Sequence, residues 1–143
     1  LDPDWSNQNA FLAQNEGLES GLMILQYVSA AVLAEMNLLA NSVTTTNIPV
    51  SLGKEDHVSM GATGSYRLLQ QTKFLSLILA NEFICSSVAL DNISETPSDS
   101  VSKIHDWIRE TVPPLMGDRA FSIDTENLAS KILDGLLCNI FEA

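Results

Sequence analysis

Basic residues are scarce in this chain: seven Lys and Arg stand against eighteen Asp and Glu, a formal charge of −11 with His neutral. A nucleic-acid binder displaces counterions with a basic footprint, and seven scattered cations do not make one. Nucleic acid is excluded as a partner, and an anionic membrane surface is disfavoured for the same reason. Only two cysteines occur, Cys85 and Cys138, with no CxxC or Cys/His spacing, so no metal site is expected and both read as buried, reduced thiols. No basic-then-apolar leader opens the chain, which begins at Leu1, and the expectation is a cytoplasmic protein of which this is a piece. Aromatic residues make up 6% and charged residues 17%, so the 45% hydrophobic content rests mainly on Leu, Ala, Ile and Val. The 143 residues give room for one domain. Such a small domain leaves much of its surface in water, and a composition this apolar implies that a membrane or other chains cover part of it. End-to-end disorder is excluded by the same figures.

What is present reads as helix. Residues 1–20 form an irregular lead-in with Pro3, Gly17 and several Asn and Asp, from which Trp5, Phe11 and Leu12 are expected to anchor on a core. The run LMILQYVSAAVLAEMNLLA then ends at Ala40. It has the length of a membrane span, but Gln26, Ser29, Glu35 and Asn37 interrupt it and no basic residues flank it, so it reads as a central bundle helix. Residues 41–56 form a long loop broken by Pro49 and Gly53. A second long helix is expected from Asp56 or His57 to about Leu90, with Gly61 and Gly64 in its first turns marking a site where another backbone packs closely. After a polar connector, a helix over about Ser98 to Val112 carries Val101, Ile104, Ile108 and Val112 on one stripe and stops at Pro113-Pro114. A last helix, capped by Ser122 or Asp124, carries Leu128, Ile132, Leu136 and Ile140. The fold class is all-α: long antiparallel helices of a bundle, in one unit with a lead-in (1–20), two central helices and their loop (21–90) and C-terminal helices (91–143).

One stretch departs from ordinary helix filler: Gly53-Lys54-Glu55-Asp56-His57-Val58-Ser59-Met60-Gly61. Four consecutive ionisable groups stand where the loop meets the expected helix start, whose free N–H groups favour carboxylates. In the plain structural reading Asp56 caps the helix while Lys54, Glu55 and His57 are solvated. In the functional reading a carboxylate at the mouth of an apolar bundle serves as an acid/base group.

The string GKEDHVSMG resembles the QEDHVSMG signature of the histidine ammonia-lyases, within the aromatic amino acid lyase family. Its flanks agree: FLAQNEGLESGLMILQYVSAAVLAEMNLLA is similar to that family's Gly-Leu-x-Ser-Gly-x-Met-Ile-x-Gln segment, and NSVTTTNIPVSLG to its Ser-Val-Asp-Ser-Ile-Pro-Thr-Ser loop. The stretches LANEFICSSVALD and VPPLMGDRAFSIDTENLASKI also match, so the resemblance runs from about Phe11 to about Lys131. It implies the C-terminal part of a larger, mostly helical lyase that eliminates ammonia from an aromatic amino acid, for histidine giving urocanate. It further implies a homotetramer with sites built from several subunits, and a 4-methylideneimidazole-5-one electrophile formed from Ala-Ser-Gly. That tripeptide does not occur in this sequence, so the group is formed outside this segment and the chain alone is expected to be inactive.

By position, Glu55 matches the glutamate that faces substrate in histidine-type members, where it contacts the amine or imidazole and shuttles a proton. Lys54 departs from the family's Gln or Asn, and a cation there favours the charged form of its neighbour. Asp56 and His57 match neighbours of the substrate site, and Asp118-Arg119 matches a pair with a structural role. A tyrosine or phenylalanine ammonia-lyase, or an aminomutase, is the alternative within the enzyme class. From another class, the alternative is a non-catalytic helical oligomerisation module derived from the lyase.

Overall fold

The computed structural model describes residues 1–141 and is helical, in agreement with the all-α expectation. A short helix α1 (Pro3–Ser6) and a 3-10 turn (Ala10–Leu12) lead into α2 (Met23–Leu39). The long loop that follows ends at α3 (Gly61–Asp91), and two shorter helices, α4 (Asp99–Arg109) and α5 (Ser122–Leu133), close the unit. Helices α2 and α3 are antiparallel: Asn81 of α3 bonds Leu25 and Ser29 near the start of α2, whereas Arg67 bonds the carbonyl of Asn41 just beyond its end. Among the described residues only α3 is long and apolar enough to cross a bilayer, though Arg67, Lys73 and Glu82 interrupt it and its second half is packed in the core.

The core lies at one end of this hairpin. On α3 the buried positions are Ser76, Ala80, Asn81, Ile84, Ser87 and Val88, a stripe at helical spacing confined to its C-terminal half. They pack with Leu22 and Leu25, with Ile108, Val112 and Leu115, and with Phe121, Leu128 and Ala129. At its C-terminal end α3 is tied to α4 by Asp91, whose carboxylate accepts from His105 Nε2 at 2.8 Å and pairs with Arg109. The other end of the hairpin stands clear of this core. Leu33 and Leu38 on α2, and Tyr66, Leu68 and Leu69 on α3, are exposed apolar side chains. The apolar composition thus has a definite location, namely helix faces that nothing among the described residues covers.

Inside the core, one polar side chain joins three helices. Asn81, 3% exposed, donates to Ser29 Oγ at 3.0 Å and to the Leu25 carbonyl at 3.4 Å, and accepts from Thr125 Oγ1 at 2.9 Å. A buried amide is tolerated because these partners satisfy it, and removing it strands the Thr125 hydroxyl. Asn81→Leu is therefore expected to cost about 1–3 kcal/mol of stability. A double variant with Thr125→Val should lose less than the sum of the two single losses, read from melting temperatures in a double-mutant cycle.

The irregular lead-in is held by a carboxylate from the far end of the sequence. Asp118 accepts from the N–H of Ser20 at 3.1 and 2.9 Å and from that of Gly21 at 2.9 Å, fixing the turn that launches α2. Arg119 pairs with Asp124 and lies over the Phe121 ring, 4.3 Å from its centroid, so the Asp118-Arg119 pair ties the lead-in and the start of α5 together. Its role here is structural.

Several expectations need correction. Trp5 is 91% exposed and anchors nothing within this chain, while Leu12 is buried and Phe11 partly so. The helix expected from Asp56 or His57 starts at Gly61, because Met60 takes a left-handed conformation (φ 54°) that ends the loop just before it. Asp56 is therefore not the cap, and the residue at the cap position, Met60, makes no side-chain capping bond. Among the described residues of this chain, a Cβ at Gly64 would meet only the Val43 side chain, at an ordinary 3.7 Å, so a backbone packed on this turn would have to come from outside them. The α4 helix stops at Arg109, three residues before Val112. The last helix lacks the expected side-chain cap and ends at Leu133, where Gly135 (φ 74°) and the Leu136 N–H to Lys131 carbonyl bond make a left-handed stop before the 3-10 turn Cys138–Phe141.

The two thiols also differ. Cys138 is exposed, against expectation, whereas Cys85 is half-buried beside the core and burial pushes its thiol from 9.0 up to about 11. The thiolate is the reactive form, so at pH 8 Cys85 should react with a disulfide reagent about 100-fold more slowly than a thiol at the ordinary value. Titration should give one fast thiol per chain and a second that reacts slowly until the chain is denatured; two fast thiols would contradict the packing around Cys85. Because the folded chain keeps a proton that the unfolded chain releases near 9.0, the stability held at Cys85 is complete below that pH and is lost as pH rises through about 11.

Candidate active-site loop

The loop between α2 and α3 carries the charged string and is built as a small lobe. At its tip, Ser51, Leu52 and Gly53 all have positive φ (53°, 59° and 79°), reversing the chain in a 3-10 turn. Only glycine adopts this region freely, so Gly53 is the residue best suited to the reversal. Below the tip, Val50 and Glu55 form an isolated antiparallel bridge, with Val50 N–H donating to the Glu55 carbonyl at 2.8 Å and Glu55 N–H to the Val50 carbonyl at 3.3 Å. At the base of the lobe the Asn47 side-chain amide takes both backbone groups of Val58: Nδ2 donates to the Val58 carbonyl, and Oδ1 accepts the Val58 N–H at 3.2 Å.

Lys54, Glu55, Asp56 and His57 follow one another along the returning arm of this lobe, and all four are exposed. Among the described residues none of their side chains makes an ion pair, so Lys54 and Glu55 are neighbours in sequence without a salt bridge. The carboxylate of Glu55 is also separated from the start of α3 by five residues, so the helix-terminus stabilisation expected from sequence does not reach it. The lobe is open, with apolar side chains in solvent: Ile48 is exposed on the outgoing arm and Leu52 stands fully in solvent at the tip. The lobe offers an acid/base carboxylate without the walls that would enclose a substrate.

A sizeable cavity lies elsewhere. About 660 Å³ opens between α2, α5 and the turn before α5, lined by Leu22, Val28, Asn81, Asp118, Phe121 and Thr125 among others, and it includes none of the four charged loop residues. It belongs to the core end of the hairpin; Asp118, Asn81 and Thr125 in its lining are bonded within the packing, and Ser122 and Glu126 also line it. Among the described residues no group of three or more His, Cys, Asp or Glu is placed to hold a metal ion. Sequence reasoning missed Asn47, the residue that closes the lobe; its only signal was an Asn one residue before Ile48-Pro49, which is ordinary loop composition.

Fold and loop together define a helical-bundle segment that presents two adjacent carboxylates, Glu55 and Asp56, from the connection between two apolar helices. Residues 1–110 match the family model described as aromatic amino acid lyase. The whole chain is 38% identical to a histidine ammonia-lyase of Symbiobacterium thermophilum, covering 28% of that protein. Its structure superposes on the crystal structure of histidine ammonia-lyase from Trypanosoma cruzi with a TM-score of 0.91, at 26% identity over 97% of this chain and 28% of the other. A tyrosine aminomutase structure gives a TM-score of 0.85 at 26% identity, covering 94% of this chain and 26% of that one. The chain belongs to the aromatic amino acid lyase family. It spans little more than a quarter of the length of the relatives it matches.

Proposed function

We propose that this chain supplies the C-terminal helices of an ammonia-lyase that converts L-histidine to urocanate, and that it contributes Glu55 to the active site. The observation that supports this most is the sequence Glu55-Asp56-His57-Val58-Ser59-Met60-Gly61, on an open loop, in a chain alike along its whole length to a histidine ammonia-lyase. The elimination removes a proton from the β-carbon and breaks the bond from the α-carbon to nitrogen, releasing ammonia. An ionised Glu55 suits the cationic end of such a substrate, holding the amine or imidazole by a charge-assisted hydrogen bond and exchanging a proton with it. Lys54, Asp56 and His57 line the approach to that carboxylate.

The family's electrophile, 4-methylideneimidazole-5-one, has no source here, since this sequence contains no Ala-Ser-Gly. The described residues do not supply the group, and on this reading it forms on another part of the polypeptide. The bare apolar faces of α2 and α3 around the loop fit a homotetramer in which other surfaces wall the site, in a cytoplasmic enzyme. On its own the chain is inactive in this account.

A second reading, an aminomutase that returns the amino group to the β-carbon, draws support from the likeness to a tyrosine aminomutase structure. Product analysis of the full-length protein with L-histidine, L-tyrosine and L-phenylalanine separates the two. Urocanate from histidine, with little turnover of the others, supports the first reading. A β-amino acid as the main product supports the second, and no product from any of them would leave a non-catalytic assembly module.

A further inference from the structure

We propose that Asn47 is a positioning residue for the loop carboxylate, setting where Glu55 stands by closing the base of the 47–58 lobe. This inference rests on the reading of Glu55 as the acid/base group. Within the lobe, Glu55 is held by backbone bonds to Val50 and by little else, because its own side chain is exposed and Asp56 and His57 make no bonds to the opposite arm. In a regular antiparallel ladder the next bonded pair after Val50 and Glu55 would be Ile48 and His57. No backbone bond joins them. Instead Asn47, half-buried at the root of the outgoing arm, reaches across with both atoms of its amide to both backbone groups of Val58. A side-chain amide carries one donor set and one acceptor, the same pairing a backbone residue offers, so Asn47 serves as the missing outer rung of the ladder.

The consequence for Glu55 is geometric. Its returning arm is pinned at Glu55 and again at Val58, three residues on, with two rungs enclosing Ile48 and Pro49 on one arm and Asp56 and His57 on the other. Remove the outer rung and the arm from Glu55 to Met60 is held only at the single Val50 bridge below a tip of three left-handed residues. The direction in which Glu55 leaves the lobe is then free to vary, and misplacement of an acid/base group by about 1 Å can cost up to ~100-fold in rate. Asp at this position would keep the acceptor for the Val58 N–H and lose the donor to its carbonyl.

The test is a double-mutant cycle in the full-length protein, with urocanate formation from L-histidine as the readout. Asn47→Ala is expected to lower kcat about 10-fold or more, within the range for misplaced groups, with KM changing less. Asn47→Asp should fall between wild type and Asn47→Ala. In a Glu55→Ala background, Asn47→Ala should cause no further loss, since its effect runs through that carboxylate. An equal loss in both backgrounds would overturn the proposal and make Asn47 a general support of the fold. Wild-type turnover in Asn47→Ala, with Glu55→Ala slow, would also overturn it while leaving the role of Glu55 standing. Unchanged turnover in Glu55→Ala would instead remove the reading on which the proposal rests.

Discussion

Replacing Glu55 by Ala in the full-length protein is expected to lower histidine turnover by about 100-fold or more, the usual scale for loss of a positioned general acid or base. The melting temperature should barely move. Glu55 is exposed, its side chain makes no ion pair among the described residues, and the bonds that hold the lobe come from its backbone, which Ala retains. Glu55→Gln separates two roles that Ala removes together. The amide keeps the size and can still accept a hydrogen bond, but it neither carries charge nor exchanges a proton. If Glu55 only orients the substrate, Gln should restore much of the rate; if it moves a proton, Gln should be nearly as slow as Ala. Turnover unchanged in both variants would mean that the loop carboxylate is not part of the reaction.

The largest loss of stability is expected from a residue with no side chain. Gly21 has φ 54°, and a Cβ built on it would lie 2.5 Å from the Phe11 carbonyl oxygen and 2.9 Å from the Ala13 nitrogen, both backbone atoms. Neither can move aside as a flexible side chain would. The turn there is also held by Asp118 and by the Leu22 N–H to Phe11 carbonyl bond at 2.9 Å, so relief by shifting the chain breaks contacts on both sides. Gly21→Ala should cost about 2–4 kcal/mol, combining the left-handed penalty with overpacking. Gly17 is the control: its φ is 82°, but nothing lies within 4 Å of an added Cβ. Gly17→Ala should therefore cost only about 1 kcal/mol. Comparable drops in melting temperature for the two variants would contradict the close packing of the lead-in against the start of α2.

Much of the fold is legible in the chain because its helices are bounded by strong local signals. The apolar run before Ala40 and the stripe Ile104, Ile108, Val112 place α2 and α4 to within a few residues. Ends set by single backbone conformations are less legible. Nothing in the composition around Met60 announces a left-handed residue, so α3 starts later than its charged preamble suggests. Gly135, by contrast, was a readable stop signal, outweighed in the sequence by the four-residue recurrence of Leu136 and Ile140.

Burial follows a different logic. An all-round apolar helix reads as buried, yet along α2 only Leu25 is buried within this chain. Sequence records how much surface a residue would hide, not which polypeptide hides it. The same holds for the site. Glu55 stood out through its motif, whereas Asn47 became visible only when folding brought Val58, eleven residues on, against its amide.

The central claim, that this segment brings Glu55 to substrate in an ammonia-lyase site walled by other surfaces, is tested most directly by a crystal structure of the full-length protein with urocanate bound. The account predicts the Glu55 carboxylate within hydrogen-bonding distance of the ligand, with the 47–58 lobe and the apolar faces of α2 and α3 covered by other parts of the assembly. Urocanate bound elsewhere, with the lobe still open to solvent, would contradict it.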